Sequence, residues 1–201
     1  VGIKCGIMDQ FSSVMGLENK VIKIDCRTLD YTYHEANFVD YSLILFDSNV
    51  KHSLFTSEYN NRRLECNEGL AIIKANYPEI ESFRDCAENQ VVTLKSKMSD
   101  KVFRRSLYAV KEIKRVIQAC EALDKGDIAT LGKLMFETHD GLSKDYEVSC
   151  AELDYLVDLA KAEQDVVGSR LMGGGFGGCT ITLVKKGSEA AIKEKFTKLY
   201  T

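Results

Sequence analysis

The chain has 201 residues, with 27 Lys and Arg against 30 Asp and Glu, for a formal net charge of −3 at pH 7. That balance offers no electrostatic footing for nucleic acid or an anionic membrane as partner. No apolar run approaches the ~20 residues of a membrane span, and the opening residues do not read as a signal peptide.

The seven cysteines (5, 26, 66, 86, 120, 150 and 179) lie 20 or more residues apart and form no Cys-x-x-Cys. They read as reduced, mostly buried thiols of a cytoplasmic protein. Three scattered histidines (34, 52 and 139) do not suggest a transition-metal site.

In chain order, apolar residues at 7, 8, 11, 14 and 15 predict a short helix that stops at Gly16. Asp9 lies at its start, where local sequence reads it as a solvated carboxylate favoured by the helix dipole. Lys20 to Cys26 alternates like a strand, and Tyr31 to His34 continues in the same vein. Tyr41 to Asp47 is almost continuously apolar, which predicts a central strand buried on both faces.

Ser57 is placed to cap a helix that runs towards Pro78, with Tyr59, Cys66, Leu70, Ile73 and Tyr77 as its apolar stripe. On that local reading Tyr59 is an ordinary stripe residue, and Arg62 and Arg63 are a solvated basic patch. Glu79 to Asp100 reads as a polar connection with short elements.

Phe103 to Leu123 carries Leu107, Val110, Ile113, Ile117 and Cys120 at helical intervals. Lys125-Gly126-Asp127 stops that helix and caps the next, whose core face is Leu131, Leu134 and Met135. Ser149 and Glu152 read as a capping box ahead of Leu153, Leu156, Val157 and Ala160. Ser188 caps a last helix with Ile192, Phe196 and Leu199 on one face.

Five of the 14 glycines fall between 173 and 178, directly before the strand-like Thr180 to Val184. Such a loop either packs tightly against its own chain or brings bare backbone to a ligand, an anion above all. It lacks the Gly-Lys-Ser/Thr of a Walker A loop, and it leads into a strand where a dinucleotide fingerprint would lead into a helix. The sum is α+β: a mostly antiparallel sheet with helices packed on one side. Residues 1–38 hold too little apolar surface to fold alone and read as the tail of another lobe, with 39–201 as the second.

Five segments taken together resemble galactokinases, members of the GHMP superfamily of small-molecule kinases. They are Cys5-Gly6-Ile7-Met8-Asp9-Gln10, Asn49-Val50-Lys51-His52-Ser53, Ser57-Glu58-Tyr59-Asn60-Asn61-Arg62-Arg63, Asp145-Tyr146-Glu147-Val148-Ser149-Cys150 and Ser169 to Cys179. The glycine stretch by itself suggests only the superfamily. The Gly-Ile-Met-Asp-Gln and Ser-Glu-Tyr segments point to galactokinases in particular.

The resemblance implies ATP-dependent phosphorylation of the anomeric hydroxyl of galactose, with Mg²⁺. It implies a ferredoxin-like C-terminal lobe, Asp9 as catalytic base, Tyr59 and Gly6 against the sugar, and Gly173, Gly174, Gly175, Phe176, Gly177 and Gly178 beside the nucleotide site. The family's N-terminal sugar motif, its Pro…Gly-Leu-Ser-Ser-Ser phosphate loop and its Mg²⁺ ligands have no counterpart in these residues. The chain therefore reads as a C-terminal piece, inactive alone and prone to self-association through exposed surface. A sugar and ATP sensor without activity, a kinase of N-acetylgalactosamine or arabinose, and a mevalonate-type kinase are the alternatives; the Ser-Glu-Tyr helix argues against the last.

Overall fold

The computed structural model describes residues 6–51 and 55–200. Helix α1 (Met8–Met15) leads into strands β1 (Lys20–Ile24) and β2 (Tyr31–Glu35), then β3 (Tyr41–Asp47). The long helix α2 (Phe55–Asn76) follows, then α3 (Glu88–Thr93) between short 3₁₀ turns, α4 (Asp100–Asp124) and α5 (Ile128–Lys144). Helix α6 (Ala151–Lys161), strands β4 (Val166–Leu171) and β5 (Cys179–Lys185), and helix α7 (Glu189–Tyr200) complete the order.

The fold is α+β with antiparallel sheets, as expected. β1 and β2 form a separate hairpin, while β3, β5 and β4 form one sheet in that order. One face of that sheet, with Ile44 and Val184, packs on Leu156 and Ala160 of α6 and on Ile192 and Phe196 of α7. Those are the apolar positions that helical spacing marked on both helices. A second cluster joins Ile73 of α2 and Val110 of α4 to Ile80, Val91 and Leu94.

That second cluster corrects the reading of 79–100 as a polar connection. The segment is short-elemented and mostly polar, yet it buries three aliphatic side chains that are too widely spaced to show a period. The continuous apolar run 41–47 also misled. Among the described residues β3 is an edge strand and β5 the central one; Leu43 and Leu45 are 49% and 55% exposed, and Ile44 is the buried member. Strand β4 escaped sequence reading because it is short and Gly168 interrupts it at a bulge.

Two predicted caps also differ. Helix α2 reaches back to Phe55, so Ser57 lies inside it. Helix α6 starts one residue later than a Ser149 cap requires: Cys150 takes the N-cap position, and the Ser149 hydroxyl donates to the Cys150 carbonyl. The cap of α5 is as predicted, with Asp127 accepting from the Thr130 amide at 3.0 Å. Ser99 caps α4 in the same way, from the Val102 amide.

Helix α5 lies unusually close to β4. A Cβ on Gly132 would stand 2.1 Å from the Val167 carbonyl oxygen, and one on Gly168 would stand 2.5 Å from the Gly132 Cα. Both obstacles are backbone, which cannot step aside as a side-chain tip can. Gly168→Ala is expected to destabilise the fold by about 3 kcal/mol, the upper part of the range for overpacking, read as a lowered urea midpoint. An unchanged midpoint would mean that the helix and strand do not meet this closely.

Candidate functional site

The glycine-rich loop joins β4 to β5, and the Met172 amide donating to the Cys179 carbonyl closes it at 2.9 Å. Gly175 and Gly177 have positive φ (+79° and +125°), and each is pressed against the chain's own backbone. A Cβ at Gly175 would lie 2.0 Å from the Val148 carbonyl oxygen, and one at Gly177 would lie 2.5 Å from that of Val50. Gly173 differs: an added Cβ would meet nothing within 4 Å. Two of these glycines therefore serve close packing, and one borders open space.

Phe176 sits between them in the left-handed region, at φ +59°, an uncommon conformation for an aromatic residue. Its amide donates to the Val148 carbonyl at 2.7 Å, and its ring packs with Val148, Leu153 and Leu171. The Arg62 guanidinium lies 5.8 Å from the ring centroid, within cation–π range. On the loop's other side the Ser48 amide donates to the Gly178 carbonyl.

The loop thus rests on the turn 145–149, and arginines from two helices hold that turn. Arg62 of α2 donates from Nε to the Tyr146 carbonyl and from Nη2 to the Glu147 carbonyl, both at 2.9 Å. Arg105 of α4 is fully buried and bridges Glu65 at 3.1 Å, the Asp145 carbonyl, and Glu147 Oε2 at 2.5 Å. Arg104 adds an ion pair to Glu147 Oε1 at 2.7 Å. Glu147 itself has φ +52°, which turns its carbonyl towards Arg62.

Burial alone would raise the Glu147 pKa. The hydrogen bonds from Arg105 and Arg104 outweigh it and bring the carboxyl down to about 2. Beside it, burial raises the Tyr146 phenol, with Cys66 and Tyr59 among the neighbours that add to the shift. Burial likewise pushes the Cys66 thiol up, so it is no ready nucleophile.

Tyr59 stands on α2 one turn before Arg62, half-buried and close to Tyr146. The α2 helix, the 145–149 turn and the glycine loop are therefore one assembly. Asp9 and Gly6 belong to a different part of the molecule. Helix α1 packs on the β1–β2 hairpin through Phe11 on Tyr31 (5.4 Å between ring centroids), with the Tyr33 hydroxyl donating to the Met15 carbonyl. The hairpin is tied to the helices by His34 Nδ1 with Asp124 (2.7 Å) and by Arg84 with Asp25. Asp9 is exposed in the first turn of α1, and among the described residues its carboxylate has no partner. Cys5, His52 and Ser53 of the segments singled out above lie outside the described residues. Among those described, no group of three His, Cys, Asp or Glu is placed to hold a metal ion.

Arg62 is not the solvated patch that its local sequence suggests; it is 9% exposed, with Nε and Nη2 on main-chain carbonyls and Nη1 on the Glu58 carboxylate. Arg105 and His139 also escaped notice. An arginine within an amphipathic helix and a single histidine carry no pattern that marks them as buried ties.

Residues 107–201 match the family described as GHMP kinases C terminal. The galactokinase of Thermotoga maritima is 42% identical over 200 residues, 100% of this chain and 55% of that protein. Human galactokinase is 43% identical over 184 residues, 92% of this chain and 46% of its own. The crystal structure of Lactococcus lactis galactokinase complexed with galactose matches with a TM-score of 0.93 at 31% identity, over 99% of this chain and 51% of that one. L. major mevalonate kinase, in complex with R-mevalonate, shares the fold at a TM-score of 0.53 and 21% identity, over 89% of this chain and 44% of its own. The chain spans about half the length of the curated relatives it matches.

The Glu147 carboxyl yields a pH prediction with a definite sign. Its pKa is depressed from 4.5 to about 2, so the stability it contributes is present above 4.5 and lost as pH falls towards 2. Glu147→Gln should flatten the acid side of the stability–pH curve between those values, and urea unfolding at pH 2.5, 4.5 and 7 would show it. A variant curve parallel to the parent's would remove the Arg105–Glu147 tie from the account.

Proposed function

We propose that the chain belongs to the GHMP kinase family and is the C-terminal half of a galactokinase. The whole enzyme would transfer the γ-phosphoryl group of ATP to the anomeric hydroxyl of galactose. The observation that carries this reading is the identity of 41 to 43% with galactokinases along 92 to 100% of the chain. The mevalonate kinase likeness supports the fold alone.

In this reading residues 1–38 belong to the N-terminal lobe and 39–201 form the C-terminal lobe. The separate β1–β2 sheet supports that boundary. So do the exposed apolar side chains before it: Met8, Val14, Leu17 and Leu29. The other lobe would cover them, and the 201-residue chain alone would self-associate through them. The protein would work in the cytoplasm; among the described residues no helix is long and apolar enough to cross a membrane.

Asp9 is the general base. A sugar hydroxyl is a weak nucleophile until its proton has an acceptor, and an exposed carboxylate with no competing partner among the described residues can take it as the new O–P bond forms. Gly6 precedes the base on the same segment and, having no side chain, leaves room for the sugar. Tyr59 contributes a phenol to hydrogen-bond the sugar, its ring held near Tyr146.

ATP supplies the phosphoryl group, and Mg²⁺ offsets the charge on its phosphates. The residues present fit a support for the nucleotide site and not its cradle. Gly175 and Gly177 face the chain's own carbonyls, while Gly173 borders open space on which a ligand's neighbour could lie. The main phosphate and metal contacts fall to the other half.

Three measurements test this, two on the full-length protein and one on the 201-residue chain. Asp9→Asn should lower kcat at least ~100-fold, the usual contribution of a general base, with galactose still bound. Tyr59→Phe should raise KM for galactose about fivefold, the loss of one hydrogen bond, while leaving kcat nearly intact. The 201-residue chain alone should show no turnover. Near-normal kcat in Asp9→Asn, or better turnover of another sugar than of galactose, would overturn the assignment.

A further inference from the structure

Strand β4 ends at Leu171, immediately before the glycine-rich loop. β4 is an edge strand, paired only with β5 on one side among the described residues. The Leu171 amide points away from β5, and Leu171 is fully buried, so water cannot satisfy that N–H. His139 on α5 does so instead: its Nδ1 accepts from the Leu171 amide at 3.1 Å. His139 is 2% exposed.

An Nδ1 that accepts carries no proton, so the proton of the neutral ring sits on Nε2. Nε2 faces Asp154 Oδ1 of α6 at 3.1 Å, and Asp154 Oδ2 accepts from the Ser143 hydroxyl at 2.8 Å. The Nε2–Oδ1 approach is close but poorly aligned, and neither atom has another hydrogen-bond partner among the described residues. Four residues from α5, α6 and β4 thus form one chain that ends on the amide at the mouth of the loop.

We infer that His139 is a positioning residue for the glycine-rich loop, held in its Nε2–H form by Asp154 so that Nδ1 fixes the backbone at Leu171. The loop's far side is seated on Val148 and Val50 by close packing. Its entry from β4 has the Met172–Cys179 closure and this imidazole. The inference rests on the kinase reading only for its catalytic consequence.

The brace requires a neutral ring. The titratable groups that face it are Asp154 and Lys161 on α6 and Asp140 on α5; β4 contributes the amide. Burial holds the imidazole below its ordinary value against the pull of Asp154. Protonation would set an Nδ1–H against the Leu171 N–H, two donors facing each other. The loop should therefore loosen on acidification below the ordinary histidine range and stay fixed above it.

Amide hydrogen exchange on the full-length protein tests this without reference to activity. In His139→Leu, Leu171 and the amides of 173–178 should exchange about tenfold faster, the loss of roughly one hydrogen bond, with the amides of α4 unchanged. His139→Asn returns an acceptor near the Nδ1 position and should restore most of the protection. In turnover assays His139→Leu should raise KM for ATP more than it lowers kcat.

Unchanged exchange at 171–178, an equal rise throughout α4, or no rescue by His139→Asn would overturn the inference. Should His139→Leu fail to fold, the ¹⁵N shifts of His139 in the unaltered protein decide: an Nδ1–H tautomer rules the brace out. If the unaltered full-length protein shows no sugar-kinase turnover, the functional reading falls, and the exchange result judges the brace by itself.

Discussion

The buried guanidinium of Arg105 is the interaction on which the arrangement of this molecule depends. It reaches Glu65 on α2 and the main chain and side chain of the 145–147 turn from a position with no water contact. A buried cation is tolerable only when its donors are met, and a lone partner would not suffice. Here two carboxylates and a carbonyl share the task. They come from parts of the chain that sequence separates by about two fifths of its length, so the ion pair sets where α2 stands relative to the turn. Everything that rests on the turn, the glycine loop included, inherits that placement.

The glycine loop looks different once its neighbours are known. A run of glycines invites the idea of a surface laid open to a ligand. In this molecule Gly175 and Gly177 are bare because carbonyl groups of Val148 and Val50 occupy the space a side chain would need. Phe176, the one bulky residue in the run, accepts an uncommon backbone conformation and locks the loop to the turn by its amide and its ring. The result is a firm shelf with a small open end at Gly173, consistent with a loop that shapes a site more than it fills one.

How far sequence reasoning reaches is visible residue by residue. The face of α6 was legible because burial follows a period: Leu153, Leu156, Val157 and Ala160 are all buried. The same spacing also marked Ile117 of α4 and Leu199 of α7, which are 52% and 47% exposed, since a period finds a stripe but not where its covering ends. The Asp127 cap was legible because the signal is local. The edge position of β3 was not, since an apolar run reports only that water is avoided and says nothing about which neighbour does the covering. Arg62, Arg105 and His139 were invisible for a related reason. Their partners lie tens of residues away, and a polar residue tied to a distant carbonyl has the same local appearance as one in solvent. In the candidate site, Asp9, Tyr59 and the glycines were marked by resemblance, while the side chains that hold them in place had to be seen in three dimensions.

The strand order β3–β5–β4 carries a consequence for how the polypeptide reaches this state. β3 is made early, but its partner β5 does not begin until Cys179. During synthesis the run Tyr41 to Asp47 must wait, unpaired, while most of the helices emerge. Contacts of such long sequence separation slow folding, and an unpaired apolar segment is open to the wrong neighbour in the interval. The helical hairpin of α4 and α5, whose contacts are local, can assemble in that time. The β3–β5 pairing can form only once Cys179 and the residues after it have been made, and the glycine loop, which leads into β5, cannot be anchored at that end before then.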